Sequence, residues 1–116
     1  MGKGAAYNQR ARAWLAEQGY VLIAKVEWFN PFTKRMTDLF GAFDYLAVGK
    51  GETVGVQVTS RNHASDRRKK LMTNPHVGEC WNNGWRILLL TFDQPKGPRT
   101  AWRAHVEWLL EDDDAR

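Results

Sequence analysis

The chain has 116 residues, 43% of them hydrophobic, enough for one globular core and too few residues for two. It carries 17 Lys and Arg against 13 Asp and Glu, a net charge of +4, and one cysteine, Cys80, so no internal disulfide can form. Residues 1–6 hold no apolar signal core, and no stretch approaches the roughly 20 apolar residues of a membrane span; a soluble, cytoplasmic protein without a membrane partner is expected.

Tyr7, Ala11, Trp14, Leu15 and Gln18 recur at helical spacing with Arg10 and Arg12 on the other side, which predicts a helix over 5–18 that Gly19 stops. Residues 20–28 are rich in Val, Ile and aromatics and read as a strand. Asn30-Pro31 marks a turn. A second strand is expected over 39–48, and the short loop 49–52 returns it as a hairpin into a third strand over 53–59. Asn62 can cap a helix running to about residue 72. Asn74-Pro75 opens a second short helix to about residue 81, and Asn82-Asn83-Gly84 ends it. Residues 85–92 form a hydrophobic strand, followed by a Pro- and Gly-rich loop over 94–98. Over 100–110, Trp102, Ala104, Val106 and Trp108 alternate as in a strand, the preferred reading; Trp102, His105, Val106, Leu109 and Leu110 also fit a helix.

The resulting order, α-β-β-β-α-(α)-β-β, predicts a single α/β domain over 1–110, a mixed sheet flanked by helices. Residues 111–116 form an acidic tail, expected to fray. That tail holds four acids and one arginine, so residues 1–110 carry +7. A polyanion such as nucleic acid is the natural partner of such a body, although plain solubility explains the charge as well.

The chemistry concentrates between Asp38 and Thr59. Along a strand side chains alternate, so Val54, Val56 and Val58 point one way and Gln57 and Thr59 the other. Asp44 shares a face with Ala42 and Leu46. If the two strands pair, the Asp44 carboxylate and the Gln57 amide oxygen meet at one end of the sheet. Both are hard oxygen donors of the kind Mg²⁺ takes, with Glu27 and Asp38 as further acids in reach. The plain alternative is that Gln57 and Thr59 face solvent on a half-exposed sheet.

Glu27, Asp38-Leu39-Phe40-Gly41, Asp44 and Gln57-Val58-Thr59 resemble a phage and bacterial branch of the PD-(D/E)XK nuclease superfamily, which includes the archaeal-type Holliday junction resolvases. The resemblance spans residues 7–92. It implies a restriction-endonuclease-like α-β-β-β-α-β core and a phage-encoded, metal-dependent DNA endonuclease. Such an enzyme hydrolyses phosphodiester bonds in branched DNA as a homodimer, with Mg²⁺ or Mn²⁺. Asp44 matches the motif's Asp. Gln57 stands where Glu is usual, which keeps an oxygen donor and loses a charge. Thr59 stands where Lys is usual, and Lys70, one helical turn from Arg67, is the candidate for a migrated lysine.

The roles implied are metal binding by Asp44, Gln57 and the Val58 carbonyl, with Glu27 or Asp38 completing the site or orienting water. Lys70 would stabilise the phosphate and Thr59 hydrogen-bond beside it. Arg10, Arg12, Lys34, Arg35, Arg61, Arg67 and Arg68 are candidates for backbone contacts, although residues 66–70 also read as a solvated charged helix face. Other readings are a catalytically degenerate DNA-binding module of the same fold, a restriction or repair nuclease, or a small protein-interaction domain.

His63, His76 and His105 lack zinc spacing, and Gly49 to Gly51 is not a phosphate loop because no helix follows it. Trp28, Phe29, Pro31 and Phe32, beside Lys34 and Arg35, could stack on unpaired bases; packing into a core or dimer interface is the preferred reading. Trp81, Trp85, Trp102 and Trp108 are expected in the core or a dimer interface.

Overall fold

The computed structural model describes residues 3–93 and 102–111. The chain runs α1 (Lys3–Glu17), β1 (Leu22–Lys25), β2 (Trp28–Asn30), β3 (Arg35–Thr37), β4 (Tyr45–Gly49) and β5 (Glu52–Ser60). A 3-10 turn (Arg61–His63) leads into α2 (Ala64–Thr73), α3 (Pro75–Asn82), β6 (Arg86–Asp93) and β7 (Arg103–Leu109). Five strands form one mixed sheet in the order β1-β4-β5-β6-β7, and β2-β3 is a separate hairpin. Only the β5–β6 pair is parallel within that sheet, because α2 and α3 carry the chain back over one face before β6 begins. The expected α/β class, with helices flanking a mixed sheet, is the observed one.

Strand alternation divides the core in two. Val54, Val56, Val58, Leu88, Leu90 and Phe92 face α1, where they pack on Ala11 and Leu15. Ile87 and Leu89 face the other way, onto Leu71 of α2 and Val77 of α3. Residues 87–90 are an unbroken aliphatic run because both faces of β6 are covered, and each such side chain contributes about 1.5–3 kcal/mol. Trp14 and Trp102 pack on the first cluster, as does Trp108, and Trp81 and Trp85 on the second. Gly55 lies under the Phe43 ring, so close that a Cβ there would meet the ring at 2.7 Å.

Four expectations need correction. The strand expected over 20–28 is two strands in two sheets. The Val26 N–H donates to the Asp44 carbonyl, just ahead of the start of β4, so β1 has no partner beyond that point and β2 pairs with β3 instead. The strand expected over 39–48 begins only at Tyr45. Ahead of it Leu39 and Phe43 exchange both backbone hydrogen bonds around Phe40 and Gly41, whose φ angles of 58° and 68° are left-handed. Asn62 caps nothing: it lies inside the 3-10 turn, and α2 starts at Ala64 without a side-chain cap.

The fourth correction concerns the core half of the expectation for Trp28, Phe29 and Phe32, which do not pack into the core. They are 53%, 53% and 94% exposed. By contrast Asn74 caps α3 as expected, accepting from the His76 N–H with Pro75 in the first turn. The preferred strand reading of 100–110 appears as β7. The loop expected over 94–98 and the tail at 112–116 lie outside the described residues. Glu111, at the start of that tail, pairs with Arg86 through two hydrogen bonds of 2.7 and 2.8 Å.

Candidate functional site

The register that pairs Tyr45 with Val56 brings Asp44 opposite Gln57, one residue ahead of the start of β4. Both side chains project to the α2 side of the sheet and touch. Gln57 Nε2 donates to Asp44 Oδ1 over 3.0 Å, to the Ala42 carbonyl over 3.0 Å and to Asp38 Oδ2 over 3.3 Å. The Val58 N–H, left without a β4 partner, donates to Asp44 Oδ1 at 3.0 Å. A strand residue turns its N–H and C=O to the same side, so the Val58 carbonyl also points past the start of β4. On its other side Gln57 offers Oε1 to Arg67 Nη1 over 3.1 Å.

These groups open into a cleft of about 760 Å³ at the carboxyl end of β5. Glu27, Asp38 and Asp44 line it, with Gln57, Val58 and Thr59. Arg61, Arg67 and Lys70 supply positive charge from the 3-10 turn and α2, and Tyr7 and Asn8 come from α1. Every residue expected to act on the phosphodiester therefore reaches this cleft. The cause is topological: β5 outlasts β4, and the parallel return to β6 sets α2 beside the exposed strand end.

The cationic residues expected to contact a backbone divide. Arg61 and Arg67 line the cleft. Arg68 turns away and binds Glu107 through two 2.7 Å hydrogen bonds, with Arg61 3.7 Å from the same carboxylate. Arg10 stacks over Trp102 at 4.5 Å and Arg12 over Tyr45 at 5.4 Å. Lys34 and Arg35 stand on the β2–β3 hairpin.

Burial pushes the Asp44 carboxyl up to about 8, and the nearby acids Asp38 and Glu27 add to the rise, while the Val58 N–H opposes it. The carboxyl is thus held in its neutral form, and a hard cation entering the cleft would favour its ionised form. Among the described residues no three His, Cys, Asp or Glu side chains cluster tightly enough to form a metal cage. The donor set fits an ion that takes only one or two carboxylates and fills the rest of its shell with carbonyl, water and phosphate oxygens, as Mg²⁺ does. Gln57 presents its amide nitrogen to the acids. Its oxygen would join such a shell only after the amide turned over and Arg67 let go.

Sequence reasoning missed Asp93 and His63, which also line the cleft. His105 Nε2 lies 2.7 Å from Asp93 Oδ2 and holds that carboxyl below the usual range. Strand parity was the available signal, because Thr91 and Asp93 fall on the same face of β6 as Gln57 and Thr59 on β5.

No family model matches this sequence, and no curated protein matches it at a significant level. Among solved structures the chain is similar to Hjc, a Holliday junction resolvase from the hyperthermophilic archaeon Archaeoglobus fulgidus. The TM-score is 0.51 and the identity 18%, over 89% of this chain and 71% of that one. At that identity the likeness speaks for the fold.

Proposed function

We propose that this protein is a DNA endonuclease of the Holliday junction resolvase kind, cutting branched DNA at the Asp44 cleft. The observation that carries the reading is the convergence of Asp44, Asp38 and Gln57 at the open end of β5 in one cleft with Arg67, which touches Gln57, and Lys70. Acids and bases lining one cleft suit a phosphodiester, whose reacting centre must meet both. The fold shared with Hjc and the +7 charge of residues 1–110 agree with it.

Asp44, Asp38, the Val58 carbonyl and, after the amide turns, Gln57 Oε1 would hold the divalent cation, Mg²⁺ or Mn²⁺. That ion supplies an activated water and offsets charge at phosphorus. Lys70 and Arg67 bind non-bridging phosphate oxygens from α2, and the Thr59 hydroxyl donates beside them. Glu27, 3.4 Å from Lys25 and largely buried in the cleft lining, would orient the incoming water. A four-way junction is cut on two strands, so two copies related by a two-fold axis would each supply one site. The phage origin and the cytoplasmic setting belong to the same reading. No described helix is long and apolar enough to cross a membrane.

The test is cleavage of four-way junction, linear duplex and single-stranded DNA with Mg²⁺, Mn²⁺ or chelator. The wild type should cut the junction in metal, and Asp44→Asn should lose cutting on the order of 100-fold while still binding DNA. Equal cutting by that variant removes Asp44 from the site.

One observation favours a second reading, a DNA-binding module without catalysis. Gln57 already commits its amide hydrogens to Asp44, the Ala42 carbonyl and, at 3.3 Å, Asp38, and Arg67 holds its oxygen. That reading expects salt-sensitive binding and no nicking in either metal.

A further inference from the structure

Ten large hydrophobic side chains are exposed among the described residues, and four of them, Trp28, Phe29, Phe32 and Met36, fall within nine positions on the β2–β3 hairpin. Clustered apolar exposure of this kind marks a contact surface. Two features identify the occupant. Lys34 and Arg35 sit at the hairpin's turn and the start of β3, are exposed, and form no ion pair among the described residues. A protein partner's buried centre would disfavour unpaired charge there, whereas a nucleic acid requires it. The hairpin is also continuous with the cleft, because Met36 and Thr37 form its wall immediately before Asp38.

We propose that the β2–β3 hairpin is a stacking platform for unpaired bases, with Lys34 and Arg35 holding the adjoining phosphates. It leads the strand toward Asp38 and Asp44. The proposal deepens the nuclease reading by naming unpaired DNA at a branch as what the cleft receives, and it rests on that reading's claim that the cleft takes DNA. Register pairs Phe29 with Met36 on one face and Trp28 with Thr37 on the other, so each face presents an aromatic ring. Phe32 stands at the tip. That tip is preset: Asn30 Oδ1 accepts from the N–H groups of Phe32 and Thr33 at 2.9 and 3.4 Å, and the Lys34 N–H donates to the Asn30 carbonyl at 2.8 Å. A turn whose backbone is already fixed needs less ordering when a base arrives.

The experiment is equilibrium binding in chelator, read by anisotropy, to single-stranded DNA, a four-way junction with unpaired nucleotides at its branch point and a blunt duplex of equal length. Phe32→Ala removes an almost fully exposed ring and leaves the core intact. It should weaken binding to single-stranded and branched DNA on the order of ten-fold and change duplex binding less than two-fold. A 2-aminopurine placed at an unpaired position should be quenched by the wild type and not by Phe32→Ala. Lys34→Ala should weaken binding to all three DNAs. Unchanged binding by Phe32→Ala, or equal loss on duplex, overturns the proposal. So does a wild-type dimer that Phe32→Ala dissociates, which would make the hairpin an interface between copies. A wild type that binds none of the three overturns the nuclease reading as well. Base stacking without any cutting in metal keeps the platform and removes the enzyme; cutting without a Phe32 effect does the reverse.

Discussion

Gln57 stands directly opposite Asp44, and its amide nitrogen bridges Asp44 to Asp38 at 3.0 and 3.3 Å. A neutral donor thus sits between two acids at a buried strand end, and its carbonyl is tied to Arg67. The arrangement balances hydrogen bonds and holds the Asp44 carboxyl in its neutral form, and this balance governs how the site should respond to substitution, pH and cations.

Gln57→Glu replaces the bridging donor with a third acid. In chelator near pH 8 the variant should unfold more easily than wild type, by about 1–3 kcal/mol, because like charges meet in a poorly solvated place. Millimolar Mg²⁺ or Mn²⁺ should restore it more than it raises the wild type. Thermal melts with and without metal measure this; a variant as stable as wild type in chelator would mean the acids are not in mutual contact.

Asp44 binds a proton up to about pH 8 in the folded chain, against an ordinary value of 3.8. Between those limits the native state holds more protons than the unfolded state, so stability falls as pH rises. This one group contributes a slope of at most about 1.4 kcal/mol per pH unit. Urea midpoints in chelator should decline from pH 5 to pH 8 in the wild type, and Asp44→Asn should flatten that decline. Parallel curves would show that Asp44 titrates normally.

Thr91 is fully buried on β6, and its hydroxyl finds no hydrogen-bond partner among the described residues. Thr91→Val keeps the shape and the β-branched side chain and removes the unpaired donor. Stability should rise by about 1 kcal/mol, read as a higher urea midpoint. A loss of stability would reveal a partner for that oxygen.

Gly55→Ala drives a methyl into the Phe43 ring at 2.7 Å. The expected loss is about 1–3 kcal/mol by overpacking. Phe43→Leu in the same chain should recover part of it, and additive losses in the double variant would separate the two positions.

Lys70 and Arg68 test which bases serve the cleft. Lys70→Ala should slow cutting far more than Arg68→Ala, because Lys70 lines the cleft and Arg68 is engaged by Glu107. The Arg68 variant should lose at most about 1 kcal/mol of stability, since the pair is partly solvated. The opposite order in a junction-cleavage assay would move the phosphate site to the other side of α2.

Much of the candidate site was legible from short-range rules. Strand parity placed Asp44 and Gln57 on one face, and the short hairpin loop, expected over 49–52 and narrowed to residues 50–51 by the pairing of Gly49 with Glu52, set them opposite each other. What parity could not show is which atom of the Gln57 amide faces the acid, since that depends on Ala42, Asp38 and Arg67, all distant in sequence. The helices were read from periodicity and caps, and Asn74-Pro75 was a local signal strong enough to hold. Asn62 misled because a 3-10 turn occupies the place where a cap was sought. The loop through Phe40 and Gly41 was hidden because its apolar residues mimic a strand, and the left-handed turn that breaks it is stabilised by a pairing of Leu39 with Phe43.

By itself the sequence determined the α/β alternation, the two-sided burial of β6 and the face on which the acids stand, because periodicity and turn chemistry act over a few residues. The tertiary structure alone decided that β1 stops where β4 begins, that the aromatics of Trp28 to Phe32 leave the core on a hairpin, and that Arg67 and Lys70 return to the acids while Arg68 turns to Glu107. Those outcomes depend on strand lengths and on the parallel crossover, which join segments too far apart for any local pattern to record.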